Sequence, residues 1–310
     1  MAAKKLLEGK VAIISGSGRG IGQSMAKVFT KYGACVVIND PGVNTDGSSH
    51  DNGPADRTVA EIKAAGGHAV ASYDSVTTIR GTTNMVKAAL DTFGRLDIII
   101  NNAGILRDRM FHKMSPEDWH AVIDVHLNGA FNLSRAAINV FREQGSGRVI
   151  NLSSTSGVVG SWGQTNYGAA KLGLVSFTRN LSLESVAKGI TVNAICPSAN
   201  TRMNDSVPLR TDDPKAIEAR RIKMTRSKPE YIGELAAFLS SDWGQDVSGQ
   251  VFHVNAGEIS IFSLHRPVRT VHHANGWTPE LIGEVAMPRL LTRATPFRRS
   301  RDVFPTDPLE

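Results

Sequence analysis

The chain has 310 residues, 41% of them hydrophobic, enough to bury a sizeable core as one large domain or two small ones. Its two cysteines, Cys35 and Cys196, sit in apolar runs; they give neither a disulfide framework nor metal-ligand spacing, and point to a reducing compartment. The net charge of +6 is modest and its basic groups lack interleaved aromatics, so a nucleic-acid partner is not expected.

In chain order, apolar β-branched runs recur at "VAIIS" (11–15), "CVVIN" (35–39), "HAVASY" (68–73), "LDIII" (96–100), "RVINLS" (148–153), "ITVNAI" (190–195) and "QVFHV" (250–254). Runs without alternation read as strands buried on both faces of a parallel sheet. Between them "QSMAKVFTKYG", "VAEIKAAGG" and "IRGTTNMVKAALDTFG" carry helical periodicity, several closing on a glycine. The alternation predicts an α/β fold: a doubly wound, Rossmann-type parallel sheet of about seven strands with helices on both faces.

Two segments break the rhythm. "PGVNTDGSSHDNGPA" (41–55) predicts an irregular surface loop. We place a single catalytic domain at 1–257 and a C-terminal extension at 258–310. The extension has no strand alternation and a weak helical signal near "TPELIGEVAMPRLL". Its apolar start, "ISIFSL", predicts packing on the domain or on a partner subunit. The N-terminal apolar stretch is too short to span a bilayer and has no small-residue cleavage site. "DPLE" is not a peroxisomal address of the S-K-L type. A soluble, cytoplasmic protein without a membrane partner is the expectation.

The motifs sit where strands end. "SGSGRGIGQ" follows the first strand, with Gly16, Gly20 and Gly22 spaced G-x-x-x-G-x-G. Such a turn lets a backbone approach a pyrophosphate and places it on a helix N-terminus. "VVIND" ends the second strand at Asp40, where an acid hydrogen-bonds the adenosine ribose of NAD; a turn or helix-cap role for Asp40 is the alternative. Arg19 complicates the choice, because a base in the glycine loop helps hold a 2′-phosphate. "NNAG" (101–104), with Asn102, Ala103 and Gly104, follows the fourth strand, and "NLSSTSG" (151–157) the fifth. Ser154 lies 13 residues before Tyr167, and Lys171 follows at i+4 on the same helix face. An ammonium near a phenol favours phenolate. Ser154 can orient a substrate oxygen, and the small residues at 168–170 are expected to let ligands approach the helix. His112, His120 and His126 match no zinc spacing, and no metal is expected.

With these residues the chain resembles the short-chain dehydrogenase/reductase family from Lys10 to about Gly257. Within that family it is similar to the (3R)-hydroxyacyl-CoA dehydrogenase unit of peroxisomal multifunctional enzyme type 2. "VVINDPG", "YDSV", "NNAGILRDRMF", "VHLNGAF", "GQTNYGAAKLGL" and "SANTRM" carry the likeness. It implies that Ile21, Asp40, Ser75, Val76, Asn102 and Ser198, Ala199, Asn200 and Thr201 contact the cofactor, with Asp74 near the adenine. It also implies Tyr167 as proton acceptor and Lys171 on the nicotinamide ribose. Three positions depart from the wider family: Ser15 stands for the usual threonine, Pro197-Ser198 for Pro-Gly, and His126 for the tetrad asparagine, as in the similar subgroup.

The expected function is NAD-dependent interconversion of a secondary alcohol and a ketone by direct hydride transfer, on a (3R)-3-hydroxyacyl-CoA and its 3-oxoacyl-CoA. Alternatives are an NADPH-dependent 3-oxoacyl carrier-protein reductase, a steroid or polyol dehydrogenase, and a non-catalytic dinucleotide-sensing scaffold. Residues 206–228 hold seven basic residues, Arg220, Arg221 and Lys223 among them, against three acids. In such a fold the segment after the sixth strand closes over the substrate, so this stretch is expected to meet the phosphates of coenzyme A. A homodimer or homotetramer is expected.

Overall fold

Ile13 and Ile14 are neighbours in the first strand and point to opposite faces of one sheet, each wholly buried. This computed structural model describes residues 5–44, 46–48, 51, 53–199, 226–263, 265–296 and 298–304. Strands β1 (Val11–Ser15), β2 (Cys35–Asn39), β3 (His68–Ser72), β4 (Ile98–Asn101), β5 (Gly147–Leu152), β6 (Ile190–Ser198) and β7 (Val251–Asn255) pair in parallel in the order 3-2-1-4-5-6-7. The order reverses between β1 and β4, which opens a crevice at the carboxyl ends of those strands.

Period-two alternation feeds two cores. On one face Ile14, Ile38 and Ile100 pack with Met25 and Phe29 of α1 (Gly20–Lys31). On the other, Ile13, Ile99 and Val149 pack with Met85 of α3 (Ile79–Phe93) and Leu133 and Phe141 of α5 (Gly129–Gln144). Helix α2 (Gly53–Ala64) starts inside the stretch expected as loop, and the Asp51 carboxylate accepts the N–H of its first residue, Gly53, at 2.9 Å. Helix α4 is Pro116–Ile123, α6 Thr155–Val158, α7 Thr165–Ser185 and α8 Glu230–Ser240. No helix among the described residues is long and apolar enough to cross a membrane.

The expected seven strands are joined by an eighth. Strand β8 (Glu258–Ile261) pairs antiparallel with β7, Phe252 opposite Ile261 and Asn255 opposite Glu258. The connection is Ala256-Gly257, with Ala256 at φ 50°, rather than the Asn-Gly or Asp-Gly that announces a tight hairpin. Its residues do alternate, Glu258-Ile259-Ser260-Ile261, but four exposed positions behind an unsignalled turn are too short a run to stand out as a strand. Further on, the weakly helical segment forms short helical turns from Pro279 to Leu290, and a last turn spans Ser300–Val303.

Candidate active site

A cleft of about 520 Å³ lies over the carboxyl ends of β1, β2 and β4. It gathers Gly16, Arg19, Gly20, Ile21, Gly22, Asp40, Ser75, Val76, Asn102, Ala103 and Gly104, residues singled out on separate segments. Gly16 has φ 63°, and a Cβ there would stand 2.8 Å from the Ala103 Cα, so only glycine lets the two strand ends meet. The Ser15 hydroxyl accepts the N–H groups of Asn102 (3.0 Å) and Ala103 (3.1 Å). That hydroxyl function explains why serine serves for threonine. Arg19, the N-cap of α1, makes no side-chain cap bond, and the first turn carries no acid, leaving a positive helix end over the cleft.

The Asp40 carboxylate accepts the N–H of Gly18 at 3.0 Å and of Gly42 at 2.8 Å. Asp40 therefore closes its own turn, the alternative role expected for it, and its carboxylate oxygens retain further lone pairs. The Arg19 guanidinium, itself on the cleft wall, stands 3.7 Å from the Asp51 carboxylate. Asp74 does not line the cleft; its carboxylate is engaged by Asn84 at 2.9 Å and its carbonyl by Asn39 at 2.8 Å. Val43, Asn44 and Gly47 of the long loop and Arg107 line the cleft as well. The sequence offered no sign of them beyond the loop's length.

Ser154 lies two residues beyond β5 and caps α6, accepting the Ser156 N–H at 3.1 Å. Helix α7 brings Tyr167 and Lys171 alongside. Lys171 is 3% exposed, donates to the Leu152 carbonyl, and places Nζ 5.5 Å from the Tyr167 ring centroid. The expectation that the ammonium lowers the phenol meets a correction. Burial pushes the Tyr167 phenol up to about 12, against a downward pull from the Ser154 hydroxyl. Burial also pushes the Lys171 ammonium down to about 7. Desolvation outweighs pairing here, with Lys171 buried and Tyr167 half-buried beside it. The small residues after Tyr167 need a second correction. Gly168 faces the Ser156 carbonyl and Ala170 is buried with Ile105 and Val122, so these two pack against the protein, while Ala169 is exposed.

His126 lies in a π-turn, Asp124–Asn128, between α4 and α5. Its ring meets Tyr167 edge-on at 5.2 Å. Burial, with the Lys171 charge adding to it, holds the imidazole well below its usual range. Nε2 stands 2.8 Å from the Ile105 carbonyl, while the buried Nδ1 has no partner. The Ile105 N–H also points at Nε2, 3.2 Å away, so both polar groups of the Ile105 backbone converge on this one ring nitrogen. Asn128 faces solvent and bonds Asp124 at 2.7 Å.

Sequence reasoning passed over the lead-in to Tyr167. Asn166 is fully buried and donates to the carbonyls of Arg107 and Asp118, each at 3.1 Å, while its oxygen accepts the Tyr167 N–H at 2.8 Å. Gln164 donates to Asp108 at 2.8 Å, and the Arg109 N–H to the Gly163 carbonyl at 2.9 Å. These bonds stitch loop 105–109 to the catalytic helix. Beyond β6, Ser198 Oγ is 3.1 Å from His253 Nε2, and Ala199 is buried. Asn200, Thr201, Arg220, Arg221 and Lys223 lie outside the described residues.

The profile of the short chain dehydrogenase family matches residues 10–211. A short-chain type dehydrogenase/reductase of Mycobacterium tuberculosis is 44% identical over 259 residues, 83% of this chain and 86% of that protein. Peroxisomal multifunctional enzyme type 2 of Mus musculus is 39% identical over 91% of this chain, which spans only 37% of that enzyme's length. The crystal structure of a short chain dehydrogenase from Mycobacterium avium superposes with a TM-score of 0.81 at 38% identity, covering 95% of this chain and 98% of that one.

Proposed function

Because the chain belongs to the short-chain dehydrogenase family, we propose that it interconverts a (3R)-3-hydroxyacyl-CoA and its 3-oxoacyl-CoA, with NAD as the preferred dinucleotide. The observation that carries this reading is the grouping of half-buried Ser154 and Tyr167 with buried Lys171, beside a glycine-built cleft. A scaffold that only senses a dinucleotide needs no such trio.

A nicotinamide dinucleotide, when bound, supplies the hydride acceptor or donor. The residues present fit it: a glycine cradle at a helix N-terminus for the pyrophosphate, and Asp40 for the ribose hydroxyls. Lys171 suits the nicotinamide ribose. Ser154 orients the substrate oxygen and Tyr167 exchanges its proton. With the phenol raised to about 12, Tyr167 is a donor at neutral pH, which suits proton delivery to a nascent alkoxide. Alcohol oxidation, which needs the proton removed, should speed up as pH rises. His126 acts through the backbone of its π-turn rather than as an acid or base, since a neutral imidazole bonded to Ile105 has little to give.

NAD is favoured over NADP because a 2′-phosphate beside Asp40 meets like charge, while Arg19 stands beside the Asp51 carboxylate. Coenzyme A is favoured by the excess of basic residues in 206–228 and by the subgroup likeness. The test is nicotinamide reduction with both dinucleotides across a panel of (3R)-3-hydroxyacyl-CoA, the same acyl group on a short neutral thioester, a steroid and a polyol. Reduction of NAD by the CoA substrate above the others is expected. Preference for the steroid or polyol overturns the substrate, and dinucleotide binding without any turnover overturns the enzyme.

A further inference from the structure

The C-terminal extension returns to the site on the side away from the glycine cradle. The Ser300 N–H donates to the Gly160 carbonyl at 2.8 Å. The Arg299 guanidinium lies 4.7 Å from the Trp162 ring centroid, and Asp302 holds it through Nε and Nη2, each at 2.7 Å. Gly160 and Trp162 belong to the turn between Ser154 and Tyr167. Four residues after the Ser300 bond, Phe304 stacks on His253, ring centroids 4.4 Å apart, and meets Phe262 at 5.8 Å. His253 is 2% exposed, and its Nε2 reaches Ser198 Oγ at the end of β6.

We propose that residues 298–304 form a strap that positions the substrate side of the active site, through Gly160 and Trp162 ahead of Tyr167 and through His253 behind Ser198. The strap touches none of the reacting groups, so its members are positioning residues. Two contacts on one seven-residue segment reach both flanks of the substrate side, and each uses a different physical means: a backbone hydrogen bond with a stacked cation, and a ring cluster. The pairing also accounts for Ser198 in place of glycine, because a hydroxyl is needed to engage His253. A turn that is free to shift carries the Ser154–Tyr167 spacing with it, and misplacement by about 1 Å can cost as much as 100-fold in rate. The assignment of these groups as a substrate side rests on the proposed function.

The test uses the full chain, a chain lacking residues 298–310, and the single variants Phe304→Ala, Arg299→Ala and Phe304→Tyr. Amide hydrogen exchange across 156–166 reads the hold directly and needs no substrate. Faster exchange there in the deletion, Phe304→Ala and Arg299→Ala proteins is expected, with Phe304→Tyr close to the native chain. With the acyl substrate, KM should rise about tenfold in Phe304→Ala while the affinity for NAD stays within about twofold of the native value. If the deletion does not fold, the single variants carry the measurement. Unchanged exchange and unchanged KM in Phe304→Ala and Arg299→Ala overturn the strap. A native chain that turns over no hydroxyacyl-CoA overturns the proposed function instead, and the exchange result still stands.

Discussion

The two halves of the site are built by different means. The half under β1, β2 and β4 is made of backbone: Gly16 against Ala103, Ser15 gathering the N–H groups of Asn102 and Ala103, and Asp40 folded onto Gly18 and Gly42. The half under β5 and β6 is made of side chains that cross the fold, with Asn166 reaching Arg107 and Asp118, Gln164 reaching Asp108, and Ser198 reaching His253. Backbone geometry within a short segment demands glycine at fixed spacing, so it can be read from the sequence. Contacts between residues far apart in the chain carry no local signature.

The largest break in that comparison comes from Tyr167→Phe, which keeps the ring and removes the proton carrier. Turnover should fall by about 10²–10⁴-fold while NAD binding persists in the untouched backbone half, as calorimetry would show; near-native turnover contradicts the assignment. Next is Asp40→Ala. A unit charge pair at 4 Å in an effective dielectric near 20 is worth roughly 4 kcal/mol, so the NAD-over-NADP ratio of kcat/KM should drop by at least about tenfold even after solvent screening. An unchanged ratio shows that Arg19 and Asp51 set the preference.

Smaller effects separate the halves by stability. Asn166→Ala leaves two carbonyls and an N–H without their partner and should cost about 1–3 kcal/mol in denaturant unfolding. Gly104→Ala would place a Cβ 2.4 Å from His126 Cε1 and should cost about the same by overpacking, with a loss of activity through the His126–Tyr167 contact. A stable, active Gly104→Ala protein would remove His126 from the argument.

A last effect is read as a sign, the direction in which stability changes with pH. Lys171 is held near 7 in the folded chain, against about 10.4 when unfolded, so the unfolded chain binds more protons between those values. Stability contributed by this group therefore rises with pH across that window. Lys171→Met removes the buried cation, and its gain in Tm, about 2–4 °C per kcal/mol, should be larger near pH 6 than near pH 10. An equal gain at both ends means that the ammonium is not desolvated as its burial suggests.

Much of the fold was legible, for a physical reason. Strands buried on both faces leave uninterrupted apolar strings, and β1 and β2 fall on the expected residues. Strand β8 did not, because four exposed residues after Ala256-Gly257 have neither the string nor the turn. Ser154, Tyr167 and Lys171 could be singled out from their spacing taken together with NNAG and the glycine loop on successive strands, and the structure brings Tyr167 and Lys171 side by side. The direction of the Tyr167 and Lys171 shifts was not, because spacing reports proximity and says nothing of the water both groups lose. Asn166 looked like a lead-in residue and proved to be the peg of the catalytic helix.

In the proposed reaction, hydride passes directly between the C3 carbinol of a hydroxyacyl-CoA and the nicotinamide. The decisive measurement mixes the protein with NAD and (3R)-3-hydroxyacyl-CoA deuterated at C3 and locates the label. Deuterium is expected on the nicotinamide of the reduced cofactor and none in water, with the (3S) enantiomer inert. No reduced cofactor, or label washed into solvent, rules out direct transfer.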